Sequence, residues 1–293
     1  MNPTGVRSLM GTVGLATLPV LAVRLAQEGF AAALPLLGAL AGALAVEALY
    51  YRNVTTLRDG SALLTGWLLG LALPAGTSPV WALTAGALAL GLGKLPFGGL
   101  GRNPFNPAMV GYAAALLLFP LALLDGQTGA TPLASLAARS GLTVSEWRAA
   151  HPGPWGAGSG FALSLASLAG GLWLLYRRRI SWHAPLGYGV GLASAALLAY
   201  DGGSSQSAGP PLFHLFAGSS LFAAFFIITD PVSGAHTPPG RLAMGLLAGA
   251  LTLSFRTTGP FPDGVAFAVL LANAAGPAFD ALAEARRRQT PRV

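Results

Sequence analysis

Long apolar runs separated by short polar or basic turns dominate the pattern of this chain. Several runs are shorter than the ~20 residues that a helix needs to cross a bilayer. We therefore expect half-helices or re-entrant segments, shielded by protein, among them. The runs predict an all-α polytopic membrane protein of about ten spans, at roughly 8–24, 28–50, 60–74, 79–95, 106–124, 160–176, 184–200, 211–228, 239–255 and 262–280.

The composition supports lipid as the solvent for much of the surface. Hydrophobic residues make up 53% of the chain and charged residues 9%, whereas a soluble domain carries about 25% charged residues. The net charge of +7 comes from short basic clusters between the runs, so we expect no nucleic-acid partner. The chain has no cysteine, which excludes disulfides and thiolate-ligated clusters within it.

The basic residues predict an orientation. With a cytoplasmic N-terminus and about ten crossings, only Arg24, Arg139, Arg148 and Arg256 of the 17 Lys and Arg residues fall outside. Positive residues concentrate in cytoplasmic loops, so both termini are predicted to be cytoplasmic. The longest loop, 125–159, then lies on the outer face of a bacterial inner membrane.

Two pairs of segments suggest an internal repeat. Residues 103–107 resemble residues 259–263, and each segment precedes an apolar run. Upstream, Leu73-Pro74 ends a run much as Asp230-Pro231 does, at nearly the same offset. The offset covers five predicted helices, and an odd number of crossings inverts the copy. We predict one integral-membrane domain (1–293) of two inverted five-helix repeats, about 1–124 and 160–293, joined by the outer loop.

The outer loop opens with the motif Asp-Gly-Gln-Thr-Gly-Ala-Thr at 125–131, followed by Pro132. Asp-Gly and Thr-Gly are turn dipeptides, and the proline favours an extended conformation at Thr131. The Thr131 hydroxyl, flanked by small residues, is sterically open to a modifying enzyme. On these residues alone an ordinary surface turn is the favoured interpretation, because short motifs often match by chance.

The motif resembles the flavin-attachment signature of the RnfD/NqrB family. Segments 59–66, 98–109, 229–241 and 267–274 are similar to further family blocks in the same order. The resemblance implies that a flavin transferase joins FMN through its phosphate to Thr131, on the outer face. The remaining residues of the implied attachment motif are Asp125, Gly126, Thr128, Gly129 and Ala130. It also implies a riboflavin bound non-covalently among the helices.

The implied function is that of a flavin-carrying component of an Rnf-type ion-translocating electron transport complex linked to ferredoxin and NAD. Other membrane and peripheral subunits are the implied partners, and the chain is not expected to be active alone. The NqrB component of an Nqr-type NADH:quinone oxidoreductase is the alternative within the family. An inverted-repeat transporter or channel without flavin is the alternative from another class, and a scaffold that has lost its redox role is a third.

A few polar residues are candidates for an ion path or for the vicinity of the second flavin: Asp59, Asn103, Asn106, Thr229 and Asp230. Ionisable groups at membrane depth are functional hypotheses by default. Aspartate also caps helices readily, and a cap is the favoured interpretation for each aspartate singly. No catalytic residue and no metal site is predicted. Tryptophans near the span ends, including Trp155, are typical of an aromatic belt.

Overall fold

The computed structural model describes residues 3–124, 131–151, 153–261 and 263–289, and all regular structure within these ranges is helical. In chain order the α-helices are α1 (Pro3–Ala16), α2 (Leu18–Glu28), α3 (Ala33–Tyr51), α4 (Ser61–Ala72), α5 (Pro79–Gly93), α6 (Pro107–Leu118), α7 (Pro120–Leu124), α8 (Pro132–Ala137), α9 (Val144–Ala149), α10 (Gly160–Tyr176), α11 (His183–Leu198), α12 (Pro211–Phe216), α13 (Ser220–Phe222), α14 (Pro238–Thr258) and α15 (Val265–Gln289). Short 3₁₀ turns span Gly29–Ala32, Val54–Asp59, Leu95–Phe97 and Pro154–Gly156, and a π-helix spans Ala223–Ile227.

The helices form two compact units. The first unit contains residues 1–131 and 162–180, and the second contains 132–161 and 181–293. The segment 132–161, which we call the outer segment after the side predicted for it, therefore folds with the second unit, and most of α10 belongs to the first.

The helices occupy the predicted apolar runs, with breaks inside some of them. The predicted span 8–24 is interrupted at Thr17, because the prolyl residue that follows at Pro19 favours a new helix start. The run 211–228 divides into α12, α13 and the π-helix, with Gly218 at φ 64° in the break. Three described helical stretches are long and apolar enough to cross a membrane, namely Gly5–Tyr51, Pro79–Phe97 and Val265–Arg288. The count of about ten spans stays a prediction.

Proline and a polar cap start several helices. Asn106 precedes Pro107 and accepts a hydrogen bond from the Met109 N–H (3.2 Å). Thr237 precedes Pro238 and accepts one from the Gly240 N–H (3.1 Å). The N–H groups of the first turn of a helix have no carbonyl partner within the helix. Proline has no such N–H group, and the side-chain oxygen of the cap residue accepts a hydrogen bond from another N–H group of the turn.

Glycines let α3 and α5 of the first unit pack at backbone distance. A Cβ on Gly42 would collide with the Leu83 carbonyl oxygen, and a Cβ on Gly86 would collide with the Ala39 carbonyl oxygen. Membrane helices associate through small residues because lipid gives no hydrophobic drive for their association. The α3–α5 pair is therefore fixed in register by glycine.

The second unit has an equivalent pair, α11 and α14. A Cβ on Gly187 would collide with the Leu242 carbonyl oxygen, and a Cβ on Gly245 would meet the Ala184 carbonyl oxygen. Gly42 and Leu83 of the first pair correspond to Gly187 and Leu242 of the second. Gly86 and Ala39 correspond to Gly245 and Ala184. The two units thus contain the same glycine–carbonyl contacts at equivalent positions.

We expect Gly42→Ala to lower the thermal stability of the detergent-solubilised protein. Overpacking a close helix contact costs about 1–3 kcal/mol, and the added methyl group would meet the backbone of α5. Gly91→Ala is the matched control, since a Cβ there has nothing within 4 Å. Equal melting temperatures for the two variants would contradict the close packing of α3 on α5.

Candidate functional site

The outer segment 132–161 forms a small folded layer within the second unit. Its helices α8 and α9 are six residues each, too short to be stable alone. A buried apolar cluster holds them against α12, and it contains Leu133, Leu136, Trp147, Ala157, Phe213 and Ala217. The Trp147 ring meets the Phe213 ring edge-on at 5.4 Å. Burial of these side chains gives the segment a defined conformation.

Polar contacts fix the same segment at its ends. Thr143 and Glu146 form a reciprocal capping box at the start of α9. The hydroxyl and backbone N–H of Thr143 donate to the Glu146 carboxylate and lower its pKa. Arg139 donates to the carbonyl oxygens of Leu136 (2.6 Å) and Ser207. These residues of the loop, for which the sequence suggested no role, are structural.

Thr131 directly precedes this layer in the chain. It lies outside any helix, is partly exposed, and is followed at once by Pro132, the first residue of α8. The other residues of the predicted attachment motif, Asp125, Gly126, Thr128, Gly129 and Ala130, lie outside the described residues. A partly exposed threonine beside a folded segment fits a covalently attached group.

A second polar group lies among α3, α4 and α5 of the first unit. Lys94, at the end of α5, donates to Ser61 Oγ (2.5 Å) and to Glu47 Oε1. Ser61 Oγ in turn donates to Asp59 Oδ1 (2.7 Å). Glu47 is 1% exposed and Lys94 is 2% exposed, whereas Asp59 is half-buried. Hydrogen bonds therefore connect a partly exposed carboxylate to a fully buried ion pair.

One atom of this group is unsatisfied. Glu47 Oε2 is buried and has no hydrogen-bond partner among the described residues. A buried carboxylate oxygen without a partner costs free energy and calls for an explanation. Together with Lys94 it makes the ion pair a costly polar feature of the first unit.

The other predicted ion-path residues make local contacts. Asp230 accepts hydrogen bonds from the Val232 N–H (3.1 Å) and the Ser233 hydroxyl (2.7 Å). Asn103 donates to the Phe105 carbonyl (3.0 Å), Asn106 caps α6, and Thr229 donates to the Phe225 carbonyl (2.7 Å). These contacts are those of caps and turns. Asp59 also accepts from the Ser61 N–H (2.7 Å), but it is linked to Lys94 as well.

Two buried arginines donate hydrogen bonds to carbonyl oxygens at the ends of helices. In the first unit, Arg24 donates to the carbonyl oxygens of Gly70 (3.2 Å) and Leu71 (2.8 Å) at the end of α4. In the second, Arg256 donates to the His214 carbonyl oxygen (2.9 Å) and Ser220 Oγ (2.9 Å) and pairs with Asp263 (3.0 Å). Each arginine satisfies carbonyl groups that the end of a helix leaves unpaired.

The Lys94–Glu47 pair is not among the expectations drawn from the sequence. The orientation argument places Lys94 with the cytoplasmic basic residues, and no role is predicted for Glu47 from the sequence. Each charge lies within or at the end of an otherwise apolar run. Charged residues in such runs usually pair with each other, and this rule is the signal that predicts a pair.

Comparisons with known proteins agree along nearly the whole chain. Residues 1–289 match the family described as NQR2, RnfD, RnfE. A protein of Pseudomonas paraeruginosa, named as the D component of an ion-translocating oxidoreductase complex, is 47% identical over 251 aligned residues, which cover 76% of this chain and 73% of that protein. Proteins of the same name from Alcanivorax borkumensis and Escherichia coli are 42% and 37% identical. They cover 95% and 93% of this chain and 91% of each relative.

We expect Lys94→Met to destabilise the solubilised protein by about 3–5 kcal/mol, because it leaves the Glu47 carboxylate buried and unpaired. The double variant Glu47→Leu/Lys94→Leu is expected to recover most of that loss, since well-packed apolar residues replace buried ion pairs at little cost. Thermal unfolding in detergent measures both, and the exposed Arg58→Met is the control. A double variant as unstable as Lys94→Met would contradict the pairing.

Proposed function

Since the chain belongs to the NQR2, RnfD, RnfE family, we propose that it is the flavin-carrying membrane component of an Rnf-type electron transport complex. It is a subunit of an ion-translocating oxidoreductase complex and is not expected to act alone. The relatives from three bacteria are named for the D component of such a complex. That name favours the Rnf type over the Nqr type, and a redox role over a flavin-free transporter.

The observation that carries the flavin proposal is Thr131. It is the last residue of a motif that resembles a flavin-attachment signature, and its backbone lies outside the helices at a partly exposed position. FMN bound there through its phosphate would supply electron transfer, whereas the protein supplies position and electrostatics. The outer layer gives the attachment residue a fixed neighbour, because Pro132 begins a helix that the apolar cluster holds.

The proposed topology follows from the distribution of the basic residues and from the predicted internal repeat. Both termini are cytoplasmic, and the flavin-bearing loop lies on the outer face of the bacterial inner membrane, where a flavin transferase modifies it. The equivalent glycine–carbonyl contacts in the two units support a repeat, and an odd number of spans between the copies would invert it. The family resemblance adds a non-covalent riboflavin, to which we assign no residue.

The buried ion pair is proposed to serve ion translocation. A buried charged pair that leaves a carboxylate oxygen unsatisfied is costly, and such a pair is typical of function and not of architecture. Asp59 and Ser61 extend it toward the exterior of the unit.

Covalent flavinylation is tested by intact-protein mass spectrometry of the chain co-expressed with a flavin transferase. We expect a mass increase equal to bound FMN, with flavin fluorescence of the denatured band, in the wild type and none in Thr131→Ala. Thr143→Ala removes another hydroxyl of the same outer loop and should keep the added mass. An unmodified wild-type chain, in a host that flavinylates a control protein, would refute the flavin proposal.

The ion-translocation proposal is tested in the assembled complex in membrane vesicles. We expect Glu47→Leu/Lys94→Leu to assemble and to reduce the covalent FMN from the electron donor, but to lose redox-driven ion transport. Arg58→Met should retain both activities. Normal ion transport in a double variant that is correctly assembled would show that the buried pair is not on the ion path.

A further inference from the structure

Three aromatic side chains form a group at the edge of the outer layer. The Trp155 ring stacks on the Phe216 ring at 4.9 Å with an interplanar angle of 26°, and it meets the Phe161 ring at 5.6 Å. Phe161 and Phe216 lie 5.3 Å apart. All three are only partly buried, whereas the core cluster against which they pack is closed. The group therefore retains accessible aromatic surface.

The turn that carries Trp155 contacts Pro132, the residue that follows the attachment residue in the chain. A Cβ placed on Gly158 would be 3.3 Å from Pro132 Cγ, so the turn after Trp155 contacts the first residue of α8. Thr131 is bonded to Pro132, with their Cα atoms ~3.8 Å apart. A group tethered to the Thr131 hydroxyl thus starts next to the turn that carries Trp155.

The backbone at Trp155 is held in an unusual conformation. Its φ is 54° within the 3₁₀ turn Pro154–Gly156, in the left-handed region that bulky L-residues rarely adopt. The turn is flanked by Gly153 at φ 95° and Gly156 at φ 81°. Strained positions persist where the surrounding structure determines them, and they concentrate at ligand clamps. Here the strain fixes the direction of the indole while its ring remains partly exposed.

We propose that Trp155, supported by Phe161 and Phe216, is the stacking platform for the isoalloxazine ring of the FMN on Thr131; this rests on the proposed flavin attachment. A planar ring prefers offset stacking on aromatic side chains, and an aromatic surface beside the tether would hold the ring in one orientation. The alternative role, packing of the outer layer alone, would leave the flavin free in solvent. Stacking and packing therefore predict different flavin environments.

The test is flavin fluorescence per bound FMN, with FMN content measured by intact mass on the same detergent-solubilised samples. An indole in contact with an excited flavin donates an electron to it and takes the electron back, so stacking suppresses emission with no net chemistry. We expect Trp155→Leu to raise the emission per FMN severalfold and to make the flavin more accessible to iodide quenching. Trp182→Leu, at an exposed tryptophan before α11, should leave both unchanged.

Trp155→Phe is a second variant, for the case in which Trp155→Leu does not fold. It keeps an aromatic ring against Phe216 but removes the indole donor, so its emission should rise while iodide access stays near the wild-type value. Unchanged emission and iodide access in a fully flavinylated Trp155→Leu protein would overturn the platform and leave the flavin proposal standing. A wild-type chain without the FMN mass would overturn both. If Trp155→Leu is not flavinylated, an unchanged emission in flavinylated Trp155→Phe overturns the platform.

Discussion

The backbone hydrogen bonds at the ends of broken helices are the constraint on which this structure depends. A helix that stops within the membrane leaves carbonyl oxygens unpaired where there is no water to solvate them, and each unpaired group costs several kcal/mol. Arg24 supplies donors for the end of α4 and Arg256 supplies them for the end of α12. The guanidinium group suits this task because it presents several donors in one rigid fork. The breaks are thus sustained by side chains from other helices.

Within each unit the helices are also packed closely. Glycine contacts bring the backbones of α3 and α5 together, and equivalent contacts do the same for α11 and α14. Close packing in turn leaves little room for a charge, so an uncompensated one would be severely destabilising. Lys94 and Glu47 are tolerated because they pair with each other, and Ser61 is a further partner of Lys94.

The sequence predicts local features of the fold well and non-local ones poorly. The run 160–176 coincides with α10, and the capping pattern of Asn106 and Thr237 marks the starts of α6 and α14. These features depend on neighbouring residues, which a single sequence displays. The carbonyl partners of Arg24 lie 46 and 47 residues away, and Glu47 lies 47 residues from Lys94. Hydropathy does not reveal which of the apolar runs meet. The attachment role proposed for Thr131 came only from family resemblance, because on physical grounds alone the seven residues of the motif favour the interpretation of an ordinary turn.

The attachment residue Thr131 and the Lys94–Glu47 ion pair differ in how they relate to the packing of the fold. The outer layer is built on its own apolar cluster and would keep its shape whether or not Thr131 carried a flavin. The ion pair, by contrast, is buried among three helices and leaves one carboxylate oxygen of Glu47 unsatisfied. A charge that crosses the membrane against 100 mV requires ~2.3 kcal/mol, which is comparable to the cost of leaving such a group half paired. In the proposed ion path, the unsatisfied oxygen of Glu47 is the atom at which a translocated ion would bind.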